Sequence, residues 1–337
     1  MATFLWSLQD SGGLYIRGRH LLDWKAFQPK QWRQILQAQP ALHLQTGTWT
    51  PAQSRVLAMY ASCLHFGEMP VTGGEVAFHD DGMAFVQALA KRKTPFRCLS
   101  VQTMPWSHEN LRRLLQQDIF EKLVLPKLEE KDCVLLPLST KVDALNYTID
   151  AALVQPEDFV NLDIAARHLT IRFFLLYAGP DWGESVASFL KRVAELGHFE
   201  HLCIKLTDLA HRRNLEPAET AQALVDVIRG NRSLKHLDLS GLDWMFSLDV
   251  GASSAVPPMK QVWDAIEEHS ESRTVTLGIY SPDRIQRIVE YASLERLLSR
   301  NRNVTVIDKE GKRISNGSTI DKLYALNSFY NGSTDLI

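Results

Sequence analysis

Leu234-Lys-His-Leu237-Asp-Leu239-Ser-Gly-Leu242-Asp-Trp244 is the stretch on which the fold turns. Leu237 and Leu239 stand two apart, the period of one face of a strand, and a further apolar residue leads them by three at Leu234. The same phrase recurs as Phe96-x-x-Leu99-x-Val101, Phe120-x-x-Leu123-x-Leu125 and Phe199-x-x-Leu202-x-Ile204. Looser copies are Val142-x-x-Leu145-x-Tyr147 and Ala166-x-x-Leu169-x-Ile171, while Leu14, Leu42, Val76, Val275 and Val304 open pairs without a good leading residue. With the middle residue of each copy as anchor, the successive gaps are 28, 34, 23, 24, 22, 24, 33, 35, 38 and 29 residues. Gaps of this size fit repeating units of one short strand and one returning connection.

Between anchors the apolar period changes from two towards 3.6, as a returning helix requires. The spans 31–39, 52–62, 82–91, 109–117, 184–196, 218–229 and 284–300 carry it. Pro51, Pro217 and Pro282 suit first helical turns, and Gly197 and Gly230 suit helix ends. Residues 127–155 are the least regular, interrupted by Pro126, Pro137 and Pro156, so extended connections are expected there in place of helices.

On these residues the chain resembles the leucine-rich-repeat family, whose units read Leu-x-x-Leu-x-Leu-x-x-Asn-x-Leu. The likeness is good over 96–245 and loose elsewhere, and the helical linkers are similar to those of its helix-bearing, ribonuclease-inhibitor-like class. One departure is plain: the asparagine position holds Met104, Leu128, Thr207 and Leu242, so the family's amide column is missing. The resemblance implies an α/β solenoid, an irregular horseshoe with a parallel strand ladder and outer helices. It implies a single array over 1–337, with an N-terminal edge at 1–40. A strand, turn and helix at 301–337 would cap its last apolar edge. That ending is also similar to those of repeat proteins from host-associated bacteria, some delivered into eukaryotic cells.

Composition agrees with an ordinary globular chain of 337 residues, 45% hydrophobic and 23% charged. Length alone suggests about two domains, a prior that repeat arrays escape. A net charge of −2 offers no broad positive field, which argues against nucleic acid as partner. The first ten residues lack the basic start of a Sec signal, and no long apolar run suggests a membrane span, so the expectation is a cytoplasmic chain or one delivered by a non-Sec route.

Chemistry is sparse in the sequence. Cys63, Cys98, Cys133 and Cys203 stand 35, 35 and 70 residues apart, without the close pairs that mark zinc or redox sites, and buried reduced thiols are expected. Cys63-x-His65 and His79-Asp80-Asp81 are the nearest approaches to a ligand set. The first reads as a helix end entering a turn, the second as helix-start charge. The glycine pairs Gly12-Gly13 and Gly73-Gly74 lack the partners of a phosphate loop. No catalytic residue, metal or cofactor is expected.

What remains is the strand face turned away from the anchors. Gln102, Asn146, Thr170, Arg172, Lys205 and Asp238 fall on it, with Arg172 and Lys205 expected beside Asp238. Trp49, Trp106 and Trp244 follow their anchors by seven and read as core, whereas Trp182, in a loop, reads as the most exposed tryptophan and joins the binding surface. The resulting expectation is a protein-binding scaffold working through its concave face, in the manner of a bacterial effector. Two alternatives stand beside it: a hydrolase or transferase with a site at 127–160, and a substrate-recognition adaptor for ubiquitin ligation with Trp24–Leu36 as its docking segment.

Overall fold

A computed structural model describes residues 14–16, 26–38, 40–44, 47–67, 76–176, 178–179, 182–207, 217–242, 258–278 and 291–334. Trp6, Trp24, Trp244, Pro282 and the glycine pairs at 12–13 and 73–74 lie outside the described residues. The chain divides into two compact units, Met1–Thr148 and Ile149–Ile337.

The first unit carries β1 (Leu14–Ile16), α1 (Pro29–Ala38), β2 (Ala41–Leu44), β3 (Gly47–Trp49), α2 (Pro51–Tyr60), β4 (Cys63–Phe66), β5 (Val76–Phe78), α3 (Met83–Leu89), β6 (Phe96–Val101), α4 (His108–Leu115), β7 (Phe120–Leu125) and β8 (Ala144–Asp150). Strands β1, β2, β4, β6, β7 and β8 pair in that order, all parallel. Their register sets Leu14, Leu42, Leu64, Leu99, Leu123 and Leu145 in one row. Leu42 through Leu145 of that row are buried. The anchor missed in the sequence is Leu64; Val76 belongs to β5, which pairs with β3 in a separate two-stranded sheet. Each helix packs on the next, α1 on α2, α2 on α3 and α3 on α4.

Local chemistry fixes these boundaries. The Thr50 hydroxyl accepts from Gln53 N at 3.3 Å while Gln53 Oε1 accepts from Thr50 N at 3.0 Å, a closed capping box ahead of Pro51. Asp80 Oδ2 accepts from Ala84 N at 2.8 Å, so Asp80 serves the start of α3, while Asp81 lies in the turn before it. Between β7 and β8 the chain runs in turns, and 3₁₀ segments Ala151–Leu153 and Pro156–Phe159 follow β8, so the connections expected to be extended over 127–155 lack α-helix but are built from tight turns.

The second unit carries β9 (His168–Phe174), α5 (Trp182–Leu196), β10 (His201–Thr207), α6 (Pro217–Gly230), β11 (His236–Gly241), α7 (Pro258–Glu268), β12 (Thr274–Leu277), α8 (Tyr291–Arg300), β13 (Thr305–Asp308) and α9 (Thr319–Thr334). The five strands form a parallel ladder in chain order, with Leu169, Leu202, Leu237, Val275 and Val306 in one buried row. The last anchor is therefore Val306, not Val304. Helices α5 to α9 again pack in sequence. At the end, the Tyr324 hydroxyl of α9 donates to Val306 O at 3.1 Å and accepts from Val306 N at 3.2 Å, tying helix to strand.

A side-chain column does exist, away from the family's asparagine position. At the ends of successive helices, Asn231 donates to Val193 O (3.2 Å) and Val227 O (2.8 Å) and accepts from Phe199 N (3.1 Å). The imidazole of His269 lies 2.8 Å from Asn231 O, and Asn301 Nδ2 donates to His269 O at 2.8 Å and Ile266 O at 3.0 Å. All three are buried, so these repeats are stitched to one another at their helix ends, where backbone groups gain side-chain partners. In the first unit the half-buried Arg92 does the comparable work, donating to Ala58 O and Ala61 O at the end of α2. Both units are thus α/β repeat arrays, each a parallel strand ladder with helical connections.

Candidate functional site

Alternation along each strand sends one set of side chains into the row of anchors and the other set outward. In the second unit the outward sets of β9, β10 and β11 stand in register. His168, His201 and His236 form the first outward row, with ring centroids 4.2 and 4.1 Å apart. Desolvation and the mutual repulsion of these rings lower His201 to about 4, and desolvation, then His168, lowers His236. His201 and His236 are thereby held in their neutral form at neutral pH. Just ahead of it Glu200 bridges Lys235 (2.7 Å) and Arg167 (3.2 Å), exposed pairs that add little stability.

Thr170, Cys203 and Asp238 form the next row. The Cys203 thiol donates to Asp238 Oδ2 at 3.0 Å, the Lys205 ammonium stands 3.5 Å from the same oxygen, and Ser240 N donates to Asp238 Oδ1 at 2.8 Å. Burial and then Asp238 push Cys203 up to about 12, so it remains a thiol. Burial opposes the Asp238 charge, but these hydrogen bonds and Lys205 outweigh it and hold the carboxyl below its ordinary range. Arg172 lies in register with Lys205 and has no ion-pair partner among the described residues. Lys205 thus meets Asp238 as expected, while Arg172 does not pair with it. Beyond Asp238 the register slips, because Gly241 lies against Lys205; a Cβ at 241 would come within 2.5 Å of Lys205 Cα.

In the first unit the outward rows differ. His43, His65, Ser100, Val124 and Asn146 share one row, and Cys63, Cys98 and Lys122 the row before it. Asn146 is half-buried on β8; Gln102 is exposed just past β6 and joins neither row. Cys63 and His65 are not a helix end entering a turn: they are the alternate, outward residues of β4, because Leu64 and Phe66 are the buried pair. Register then brings Cys98 beside Cys63. Cys63 Sγ lies 3.1 Å from His65 Nε2, and His43 stacks on His65 at 4.1 Å with the rings 2° from parallel. One ligand atom from each of Cys63, His65 and Cys98 lies within 4.8 Å of the others, the one such group of three among the described residues. The hydrogen bond from Cys63, helped by Lys122, lowers the Cys98 thiol to about 7, while the same bond and burial raise Cys63. Burial, His43 and Lys122 lower His65 to about 4.

Trp182 corrects the expectation of an exposed loop tryptophan: it opens α5 and is 4% exposed, its indole buried with the helix's apolar face. Trp32, Trp49 and Trp106 are core. In 127–160, Asp150 and Asp158 carboxylates accept from Ala152 N and Gln155 N, the work of turn caps, and Cys133 is buried. Two described depressions, lined by Arg92, Lys93, Gln117 and Glu121 and by Arg229, Arg232, Glu268 and His269, take no residue from that span. Among the described residues no helix is long and apolar enough to cross a membrane. What the sequence could not show was the pairing of Cys63 with Cys98; the signal was their spacing of 35, which equals the Leu64–Leu99 gap.

No protein-family model matches the sequence, and no curated protein matches it. Among solved structures the chain is similar to a chain of the yeast Rad7 and Elc1 complex, with 15% identity and a TM-score of 0.43 over 83% of this chain and 72% of that one.

Proposed function

We propose that the chain is a divergent leucine-rich-repeat protein that binds another protein through the outward strand face of its second unit. The observation that carries this reading is the in-register polar patch of Thr170, Arg172, Lys205 and Asp238, half-buried and set on a fully buried leucine row. Rigid strands preorganise these groups, so their ordering is already complete before a partner arrives. Arg172 offers a planar five-donor anchor, and the Lys205–Asp238 pair offers both a cation and an acceptor at fixed spacing.

The reading is tested by affinity capture from a eukaryotic lysate with the intact chain, the source suited to either an effector or a ligase adaptor. Replacing Arg172, Lys205 and Asp238 together by alanine is expected to reduce capture of the specific partner at least about tenfold with the far-ultraviolet circular dichroism unchanged. Capture indifferent to the three changes would remove the reading. Components of a ubiquitin ligase among the captured proteins would select the adaptor role over the effector role.

A further inference from the structure

Two thiols and an imidazole converging on one point of a sheet face are a ligand set. Cys63, His65 and Cys98 are all half-buried, so neither core packing nor full solvation accounts for them. We propose that these three side chains bind one borderline divalent cation of the zinc class, with the fourth coordination position open to solvent. Close spacing in sequence marks metal sites whose ligands sit on one short loop; here the strand ladder supplies the same proximity between residues 35 apart.

The geometry suits the ion. Tetrahedral zinc, with bonds of about 2.3 Å to sulfur and 2.0–2.1 Å to nitrogen, separates a sulfur from a nitrogen by roughly 3.6 Å and two sulfurs by roughly 3.8 Å. Cys63 Sγ and His65 Nε2 lie 3.1 Å apart, and all three ligand atoms fall within 4.8 Å, so small side-chain rotations suffice. The backbone need not move, because β4 and β6 are already locked by their parallel pairing. Two thiolates neutralise the cation's charge, and sulfur with imidazole nitrogen selects zinc-class ions over magnesium or calcium. Binding releases the thiol protons to solvent. Neighbouring groups are consistent with this. His43, stacked parallel on His65, fixes the ring plane of the ligand and is a positioning residue. Lys122, in register with Cys98, is exposed and can turn away from an incoming cation while helping the thiol to ionise.

The second unit offers an internal control. Cys203 occupies an outward position on β10, but its neighbours in the row are Thr170 and Asp238, and the carboxylate is already held by Ser240 and Lys205.

The test uses the reduced, metal-free full chain titrated with Co2+ and then Zn2+. The expected result is a thiolate-to-cobalt charge-transfer band that saturates at about one equivalent and is displaced by Zn2+. Cys63→Ser, Cys98→Ser and His65→Ala should each weaken Zn2+ binding at least about a hundredfold, His43→Ala about tenfold, and Cys203→Ser not at all. Should a variant fail to fold, the unmodified chain still decides: Zn2+ must protect Cys63 and Cys98, but not Cys203, from alkylation read by peptide mass spectrometry. Absence of the band and of protection, a band that survives both serine substitutions, or a Cys63–Cys98 disulfide in a chain that binds no metal after reduction would each overturn the proposal.

Discussion

The two units use the same scaffold and the same outward strand positions, yet their chemistry differs because of what register places alongside a cysteine. Cys98 on β6 has Cys63 and Lys122 for neighbours and is drawn down to about 7; Cys203 on β10 has Asp238 and burial and is pushed up to about 12. Histidine rings adjoin in both units: His43 stacks on His65, and His201 lies against a tilted His168 and stacks on His236. Only in the first do thiols complete a ligand set among the described residues. A repeat scaffold therefore controls chemistry by which residues it repeats at one register position, and spacing in sequence is read in units of the repeat.

The largest effects should be shared, because the interiors match. Leu99→Ala and Leu202→Ala, both at most 1% exposed, should each cost about 2–5 kcal/mol in denaturant unfolding. A cost below about 1 kcal/mol in either unit would break the equivalence of the two anchor rows.

A smaller difference is expected at the stitching between repeats. Asn231→Ala leaves the buried Phe199 N–H without its acceptor, and Val193 O and Val227 O with their backbone donors alone, and should destabilise by about 2 kcal/mol. Arg92→Ala, which removes a half-buried side chain nearer water, should cost about 1 kcal/mol. Equal costs would mean that Arg92 stitches its unit as firmly as Asn231 stitches the other.

Reactivity sharpens the contrast at the surface. At pH 7.5, metal-free, Cys98 should alkylate at least about tenfold faster than Cys203, since the thiolate is the nucleophile. The weakest expected effect is on pH-dependent stability. The folded values of His65 and His201, about 4, lie below their ordinary 6.5, so the unfolded chain binds more protons between them. Their contribution is complete above about 6.5 and is lost as pH falls towards 4. His201→Gln should flatten that part of the stability profile in circular dichroism melts; an unchanged slope would show that the column is solvated enough to ionise freely.

Much of the fold was legible. The phrase around Leu237 and its copies at Leu99, Leu123, Leu145, Leu169 and Leu202 named buried anchors because two-residue alternation is written directly into the side chains. Leu64 was missed although Ala61-x-x-Leu64-x-Phe66 fits the pattern, since the helix period of α2 runs into it and Val76 offers a rival pair. Val304 and Val306 both satisfy a period of two, and only pairing with Val275 decides between them. The Lys205–Asp238 contact followed from register alone. Trp182 did not, because the Gly-Pro-Asp ahead of it reads as loop while its own position begins a buried helix face. The thiol and imidazole cluster was illegible for the same reason as Leu64: without that anchor, Cys63 and Cys98 fall out of phase.

The polar patch depends on the register of β9 and β10, and one cross-linking measurement tests it. Thr170→Cys, in register with native Cys203 on the adjacent parallel strand, should form a disulfide under mild catalysed oxidation, since neighbouring strands lie about 4.8 Å apart and disulfides span Cα separations of about 4.4–6.8 Å. Arg172→Cys, two residues further along the same face, should cross-link far less. A 170–203 disulfide mapped by peptide mass spectrometry, with little 172–203 product, is the predicted result; equal products, or a preference for 172, would contradict the β9–β10 register and the polar patch built on it.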